Sequence, residues 1–521
     1  MRVGLIGSAA LVAALTVPAP ATAAGGRGDA GERPNVVLIV TDDQTLSSYT
    51  SDVMPKTQSL IEGTGTRFDN AFVTTPLCCP SRASLLTGQY GHNNGVLRND
   101  YGQLNEKANT LPAWLRRAGY HTMHVGRYLN FYEAATRPHE VAPGWDEWRT
   151  ITGGSAYFDY TVEVNGRAVR YGSRTDDYVT RVINARASHL VESFAPKPSP
   201  FFLQVDHMAP HQAGGDRTVG CKASPIPDPR DAERFQNVFP PAKPSFDEAD
   251  VSDKPSFIQA LPRLDEPQLR RIARRWRCTL RSLRSVDRGV RELFGALRRE
   301  RELSETVVIF TSDNGYYFGE HRIPDKKHNP YEEGLRVPLA VRYPKAIREG
   351  PRVPVVTETV ANIDIVPTIL QLAGAEPCKA SGRCRTMDGR SLVPLLRAGG
   401  ASWPLERDLV VELERVGSPT DVGGRVCAYS GLRTPGPTGA GTLYAEHTSA
   451  VATSGSCEPV DEAELYDLAA DPFQLENLAP PGEGFPTPPL ARSRSERLAE
   501  LRHCSGIAGR DPEPASGSYC E

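Results

Sequence analysis

The sequence predicts an α/β protein in which a large, mostly parallel sheet is flanked by helices and followed by a small antiparallel subdomain. Three runs are dominated by β-branched, aliphatic and aromatic side chains: Asn35–Val40, Phe201–Val205 and Val307–Phe310. Such runs are typical of strands that are buried on both faces of a parallel sheet. Helical stretches at Thr110–Ala118 and Gln268–Arg301 separate them, and this alternation of strands and helices indicates a parallel sheet.

Each of the three predicted strands ends in polar residues. The first is followed by Asp42 and Asp43, the second by Asp206 and His207, and the third by the segment 311–315, Thr-Ser-Asp-Asn-Gly. Ligand sites in open α/β sheets lie at the carboxyl ends of the strands. We therefore expect the functional residues to meet at this edge.

The composition and hydrophobic pattern of the sequence change from about Trp403 onward. Short strand-like runs at Leu409–Glu412, Thr442–Tyr444 and Glu464–Tyr466 are separated by Gly, Pro and Ser, and a helical stretch follows at Arg494–Arg502. The pattern favours a small antiparallel sheet with a terminal helix. We predict a main domain over residues 24–402 and a C-terminal subdomain over residues 403–521.

Composition excludes several classes of protein. The chain has 521 residues, 39% of them hydrophobic, with 60 Lys and Arg against 63 Asp and Glu, which gives a net charge of −3. A chain of this length and apolar content builds a sizeable core and is not disordered. The near-neutral charge gives no support for binding to nucleic acid or to an anionic membrane surface.

The first 23 residues have the layout of a secretory signal. Arg2 precedes an apolar run from Val3 to Val17, and small residues Ala21-Thr22-Ala23 form a cleavage site. No second apolar stretch is long enough to span a bilayer, and no cysteine lies at the cleavage point to carry a lipid. We predict a secreted, extracellular or periplasmic protein without a membrane anchor, cleaved near Ala23.

Ten cysteines are consistent with an oxidising compartment. Pairing the last eight by the shortest loops predicts four disulfides, although sequence alone does not fix the connectivity. These pairs are Cys221–Cys278, Cys378–Cys384, Cys427–Cys457 and Cys504–Cys520. The vicinal pair Cys78-Cys79 is left over and needs another explanation.

The segment Cys78–Gly88 supplies that explanation. It fits the pattern Cys-x-Pro-Ser-Arg-x-x-x-Leu-Thr-Gly, with seven specified positions. This is the signature of type I sulfatases, and the chain resembles that family from residue 34 to about residue 479. The resemblance implies an alkaline-phosphatase-like sandwich fold and hydrolysis of sulfate esters. It also implies that a formylglycine-generating enzyme oxidises Cys78 to formylglycine, while Cys79 stays a buried thiol.

The chemistry implied by the resemblance explains why a cysteine is modified. A hydrated aldehyde offers two hydroxyl groups on one carbon, so that one attacks sulfur and the other later expels sulfate and restores the aldehyde. Arg82 lies four residues along the same helix, where it would hold this group and the sulfate. In this family the gem-diol therefore performs covalent catalysis with its own release step.

The resemblance also implies a metal site. Asp42, Asp43, Asp313 and Asn314 match the family's metal ligands, with the modified Cys78 beside them. All four offer oxygen atoms, which suits a hard cation, Ca²⁺ with Mg²⁺ as the alternative. Such an ion would polarise the sulfate oxygens.

Further positions match residues that bind the substrate in the family. Lys327 matches a sulfate-binding lysine, with Lys326 as the off-by-one alternative, and His211 matches a proton donor to the departing alcohol. Arg127 lies where the family usually has lysine, and Asn130 follows a position where it often has histidine. We also assign His92 and His321 to the substrate pocket, although a lone histidine is more often structural.

Local segments narrow the resemblance to N-acetylglucosamine-6-sulfatases and extracellular glucosamine-6-endosulfatases. These segments are residues 78–84, 92–93, 128–130, 235–239, 285–287 and 312–316. The resemblance implies a sulfated glycan substrate that contains 6-O-sulfated N-acetylglucosamine or glucosamine. The alternatives are an arylsulfatase, a phosphatase or phosphodiesterase of the same superfamily, and a non-catalytic protein that binds sulfated glycans.

The predicted helix near residues 268–301 carries twelve arginines between Arg270 and Arg301. Its apolar residues follow helical spacing, so one face is predicted to be buried. The favoured interpretation of the arginines is a solvated face. The alternative is a docking surface for polyanionic glycans.

Overall fold

The computed structural model describes most of the chain. The described residues are 1, 33–214, 220–344, 351–397, 403–404, 407–414, 426–436, 440–451, 456–480, 488–515 and 517–521. The predicted signal segment therefore lies outside the described residues, apart from Met1. Among the described residues, no helix is long and apolar enough to cross a membrane.

A large mixed sheet forms the centre of the protein, and the described residues contribute ten strands to it. In chain order these are β1 Asn35–Thr41, β2 Thr66–Phe72, β3 His121–Gly126, β4 Glu147–Thr152, β5 Thr161–Val164, β6 Arg167–Arg170, β7 Phe201–Asp206, β8 Thr306–Ser312, β9 Leu339–Arg342 and β10 Val355–Ala361. Their spatial order is β10-β2-β9-β8-β1-β7-β3-β4-β5-β6.

The middle of this sheet is parallel, as predicted. Strands β8, β1, β7, β3 and β4 are successive parallel neighbours, and only the flanking strands introduce antiparallel pairs. Strand β1 is buried along its whole length, as are β7 and β8. The three apolar runs of the sequence are therefore adjacent strands, and their carboxyl ends share one edge.

Helices cover both faces of the sheet. They are α1 Pro55–Leu60, α2 Cys78–Thr87, α3 Gly91–Asn94, α4 Leu111–Arg117, α5 Tyr132–Ala135, α6 Val179–Phe194, α7 Ser256–Gln259, α8 Glu266–Arg299, α9 Glu332–Leu335, α10 Ile365–Ala373, α11 Val393–Leu396 and α12 Pro489–Leu501. One hydrophobic cluster packs α6 and α8 against one face of the sheet, and a second packs α2, α4 and α10 against the other.

Helix α8 begins at a capping box, in which the Asp265 side chain accepts from the Gln268 amide and Gln268 returns a bond to Asp265. Its predicted apolar face is buried. Both ends of the helix lie two residues earlier in the chain than predicted. Arg301, which we expected inside the helix, has a left-handed φ of 65°.

A second, antiparallel sheet follows, as predicted. In the described part of the chain its strands are β11 Leu409–Leu413, β12 Val426–Thr434, β13 Thr442–Val451 and β14 Cys457–Asp467, in that spatial order. Strand β12 was not predicted, because Ser430 and Gly431 at its centre have weak strand propensity. A third hydrophobic cluster joins this sheet to Phe72 and Leu77, just before α2, so the subdomain packs against the segment that positions α2.

The four predicted disulfides are present: Cys221–Cys278, Cys378–Cys384, Cys427–Cys457 and Cys504–Cys520. Cys78 and Cys79 are both buried and unpaired. The shortest-loop pairing is therefore confirmed for all eight cysteines.

Candidate functional site

The candidate site lies at the carboxyl edge of the parallel strands. Asp42 and Asp43 follow β1, Arg127 follows β3, His211 lies in the loop after β7, and Asp313 and Asn314 follow β8. Four neighbouring parallel strands thus deliver these side chains to one edge of the sheet, where the strand ends were expected to place them.

Cys78, the first residue of α2, lies beside the same residues. Every residue of α2 is buried, and the helix ends at Gly88, whose φ of 68° is in the left-handed region that glycine adopts without strain. The Cys79 amide donates to Asn99 Oδ1 across 3.0 Å. The side chain at position 78 is therefore fixed at the positive end of the helix dipole.

Lys327 joins Cys78 to the carboxylates. Its ammonium group donates to Cys78 Sγ across 2.7 Å and to Asp43 Oδ1. Burial alone would lower the pKa of Lys327, but the Asp43 carboxylate outweighs it and the pKa lies above the ordinary value. The lysine is therefore a buried permanent cation, and of the two alternatives it is Lys327 that contacts Cys78.

Arg82 lies one helical turn after Cys78 and is held by three buried carboxylates. It lies 2.8 Å from Asp313, 3.1 Å from Asp42 and 3.1 Å from Asp206. Asp206 in turn bonds His124 Nε2 at 2.9 Å. The sequence places Asp206 at the end of a strand and Arg82 in a motif more than a hundred residues earlier, so only the tertiary structure brings the two together.

Three carboxylates lie close enough to share one ion. Oxygen atoms of Asp42, Asp43 and Asp313 all lie within 4.8 Å of one another. Burial and the Asp42 carboxylate raise the pKa of Asp313 to about 7, although Arg82 donates to it. This crowding of like charge is what a divalent cation would relieve.

Asn314 gives a second test of the fit to a metal. Its amide nitrogen donates to Asp43 Oδ1 across 2.8 Å, while its amide oxygen is buried without a hydrogen-bond partner. Together with the carboxylates, that oxygen completes an all-oxygen set suited to Ca²⁺ or Mg²⁺. The four predicted ligands are thus in one place, and the residues present fit the ion.

A cavity of about 160 Å³ opens onto Cys78. Its polar lining includes five predicted site residues, which are Asp43, Arg127, Asn130, His211 and Lys327. It also includes Asn99, Gln212, Tyr316, Lys326 and His328, of which the sequence analysis raised only Lys326. Gln212, Tyr316 and His328 lie within two residues of His211, Asn314 and Lys327 in the chain, and this proximity is the only sequence signal that could have drawn attention to them. Asn99 has no such neighbour.

His211 and Arg127 face the carboxylates. Arg127 lies 2.8 Å from Asp42 Oδ2. His211 bonds the Gln212 carbonyl through Nδ1 at 2.7 Å, which makes Nδ1 the protonated nitrogen, and its Nε2 lies 3.9 Å from Asp43. Burial, reinforced by Arg127, lowers the pKa of His211 to about 4, so its Nε2 is unprotonated near neutral pH unless an anion is bound.

The structure does not bring the other two predicted histidines to the cavity. His92 bonds Glu412 at 2.9 Å and the Cys504 carbonyl at 3.1 Å, so it joins α3 to the C-terminal subdomain. His321 is fully buried, bonds Glu248 at 2.7 Å and packs against Tyr331. Neither residue lines the cavity around Cys78. The structural role that a lone histidine usually has applies to both.

Cys78 thus lies at a helix N-terminus beside three clustered carboxylates and the cations Arg82, Arg127 and Lys327. The family model described as Sulfatase matches residues 34–375 of the chain. The chain belongs to the sulfatase family, whose members generally use a metal ion and formylglycine.

Individual relatives agree with this assignment. The chain is 34% identical to human N-acetylglucosamine-6-sulfatase over 507 residues, covering 92% of this chain and 86% of the relative. It is also 34% identical over 373 residues to the putative extracellular sulfatase Sulf-1 homolog of Caenorhabditis elegans. That match covers 70% of this chain, which spans about half (49%) of the nematode protein.

The fold agrees with a solved structure described as a complex with its substrate D-glucosamine-2-N,6-O-disulfate. The TM-score is 0.70 at 22% sequence identity, and the match covers 90% of this chain and 98% of the other. At this identity the likeness concerns the fold alone, which has the large, mostly parallel sheet with flanking helices and the separate antiparallel sheet expected from the sequence.

Proposed function

We propose that the protein hydrolyses O-sulfate esters of sugars, and that its substrates contain 6-O-sulfated N-acetylglucosamine or glucosamine in glycosaminoglycans. The observation that carries the proposal is the contact of Lys327 with Cys78 beside the cage of Asp42, Asp43 and Asp313. The relatives named N-acetylglucosamine-6-sulfatase support the substrate class. Neither the phosphatase alternative nor the purely binding alternative gains such support.

The reactive form of position 78 is formylglycine, produced by a formylglycine-generating enzyme. Burial and the Asp42 carboxylate raise the pKa of the Cys78 thiol well above its ordinary value. An unmodified cysteine there would be almost wholly protonated and a poor nucleophile. Formylglycine, once hydrated, supplies a hydroxyl nucleophile for sulfur.

The surrounding side chains then have distinct roles. Arg82, Arg127 and Lys327 provide the positive charge that binds a sulfate group, and Asn130 offers a buried amide oxygen without a hydrogen-bond partner for a substrate hydroxyl. His211 donates a proton from Nε2 to the departing alcohol, because the bound sulfate charge favours its protonated form. Asp42, Asp43, Asp313 and Asn314 would hold Ca²⁺, with Mg²⁺ as the alternative, and the bound ion would supply Lewis-acid polarisation of the sulfate oxygens.

The protein acts outside the cell or in the periplasm. The relatives include extracellular sulfatase homologs, and the four disulfides suit an oxidising compartment. The signal-like segment before residue 24 provides the route of export. Its test is the N-terminal sequence of the secreted protein, which should begin near Ala24 and not at Met1.

The main experiment compares two adjacent buried cysteines. Mass spectrometry of the tryptic peptide Phe68–Arg82 should show an aldehyde at position 78 and an intact thiol at position 79. Cys78→Ala should abolish sulfate release from N-acetylglucosamine 6-sulfate, whereas the matched control Cys79→Ala should retain most activity. Undiminished turnover by Cys78→Ala would exclude the proposed chemistry.

The metal is tested by chelation. Treatment with EDTA should remove activity and lower Tm, because the three crowded carboxylates lose their counter-ion. Adding back Ca²⁺ should restore both more completely than Mg²⁺. Full activity in a protein shown to be free of divalent ions would contradict the assignment.

A further inference from the structure

A groove beside the N-terminal half of α8 is separate from the catalytic cavity. It encloses about 720 Å³, compared with about 160 Å³ for the cavity at Cys78. Its floor is apolar and includes Phe246, Leu269 and Ile272. Phe239 also lines the groove and is 66% exposed, which is a large exposed fraction for an aromatic side chain.

The rim of the groove is basic. It carries Arg270, Arg274 and Arg277 from successive turns of α8. Arg270 is paired with Glu266 at 3.0 Å, but no carboxylate of the described residues lies within 4.0 Å of the guanidinium of Arg274 or Arg277. Burial and the neighbouring Arg277 lower the pKa of Arg281, one turn further on, which is a sign of excess positive charge along this face.

The same turns of α8 contact the wall of the catalytic cavity. Arg275 donates to Gln212 across 2.7 Å and its guanidinium lies 5.3 Å from the centre of the Tyr316 ring, and both partners line the cavity. Arg271 lies 3.5 Å from Asp325, next to the cavity residue Lys326. The rim from Arg270 to Arg277 extends about 10 Å along the helix axis. The basic face of α8 therefore runs from the cavity wall to the groove.

We propose that this α8 groove binds the sugar residues that flank the target sulfate in a polyanionic glycan chain. Arg274 and Arg277 pair with sulfate or carboxylate groups of those sugars, and Phe239 packs against the apolar face of a pyranose ring. Charge complementarity selects this occupant, because an apolar floor bordered by Arg274 and Arg277, which have no carboxylate partner among the described residues, suits a ligand with flat apolar faces and regular negative charges. The inference rests on the proposed function of the catalytic cavity.

The kinetic test compares two double variants of one helix. Arg274→Gln/Arg277→Gln changes the groove, and Arg291→Gln/Arg298→Gln removes two exposed arginines further along α8 as a control. With a heparin-derived or keratan sulfate hexasaccharide, the groove variant should raise KM about fivefold, as expected for two partly exposed ion pairs. With N-acetylglucosamine 6-sulfate alone, its kinetics should match those of the parent. An unchanged KM for both hexasaccharides, or an equal rise in the control variant, would overturn the proposal.

A binding measurement separates this inference from the proposed function. The Kd of fluorescent heparin and keratan sulfate hexasaccharides is measured on the full chain carrying Cys78→Ala, with and without each arginine pair. If only the groove variant binds the hexasaccharides more weakly and with a shallower salt dependence, the result supports glycan binding in the α8 groove. This conclusion holds even if the parent protein releases no sulfate. Normal sulfate release by the parent together with unaltered hexasaccharide binding by the groove variant would reject the groove and leave the proposed function intact.

Discussion

Lys327 donates a hydrogen bond to the sulfur of Cys78 across 2.7 Å, although 249 residues separate them in the chain. The same ammonium group contacts Asp43, so a single cation bridges position 78 and the carboxylate cage. In the proposed reaction, a cation in this place would stabilise negative charge on both the nucleophile and the sulfate.

The first prediction concerns this lysine. Lys327→Met should lower kcat by a factor on the order of 10²–10³, because a preorganised charge is lost from a buried site. The control Lys326→Met, which changes a residue that lines the same cavity, should cost about tenfold or less. Equal losses in the two variants, measured by sulfate release, would show that contact with position 78 is not what matters.

The second prediction concerns Asp206, which positions Arg82. Asp206→Asn keeps the shape but removes the charge that lies 3.1 Å from the guanidinium, so kcat should fall about tenfold to a hundredfold with bound metal unchanged. Tm should also fall, because a buried arginine loses one of three partners. The control Asp146→Asn removes a carboxylate that pairs with Arg116 away from the site, and it should leave kcat unaltered. Loss of the metal in Asp206→Asn would point to a different role.

The third prediction uses the leaving group to test His211. With a sugar sulfate, whose alcohol needs a proton, His211→Asn should lower kcat by about 10²–10⁴. With nitrophenyl sulfate, whose phenolate leaves unaided, the loss should be about tenfold or less. A uniform loss for both substrates would show that His211 binds sulfate and does not protonate the leaving group.

The fourth prediction concerns pH and stability. Burial lowers the pKa of His207 from 6.5 to about 4 in the folded protein. Between pH 6.5 and pH 4, His207 is protonated in the unfolded chain but neutral in the folded protein. The free energy of unfolding is therefore highest above pH 6.5 and falls by about 3 kcal/mol as the pH drops towards 4. His207→Gln should therefore flatten the decline of Tm between pH 6.5 and 4. The exposed control His503→Gln should reproduce the parent curve, and an equally steep curve for His207→Gln would contradict the assignment.

Much of the site was predictable from the sequence because its residues are tied to recognisable local patterns. Asp42, Asp43, Asp313 and Asn314 directly follow strands whose apolar runs are unmistakable, and Cys78 and Arg82 lie in one contiguous motif. The parallel arrangement then requires the strand ends to meet. Even the disulfides followed the shortest loops.

Other features depended on contacts between remote segments. The sequence assigned His92 and His321 to the substrate pocket, yet Glu412 and Glu248 bind them away from the cavity. Asn99 lines the cavity without any local signal in the sequence. Strand β12 was missed because its Ser-Gly centre is stabilised by its neighbours β11 and β13, and not by its own propensity.

The sequence by itself determined the sheet type and drew attention to Cys78 and to the oxygen-bearing residues at the strand ends, because strand periodicity and a contiguous motif are local properties of the chain. Only the tertiary structure decided that Lys327 and not Lys326 reaches Cys78, that Asp206 holds Arg82, and that α8 places a basic groove beside the cavity. These relationships depend on how strands and helices far apart in sequence pack against one another, and packing is a property of the whole fold.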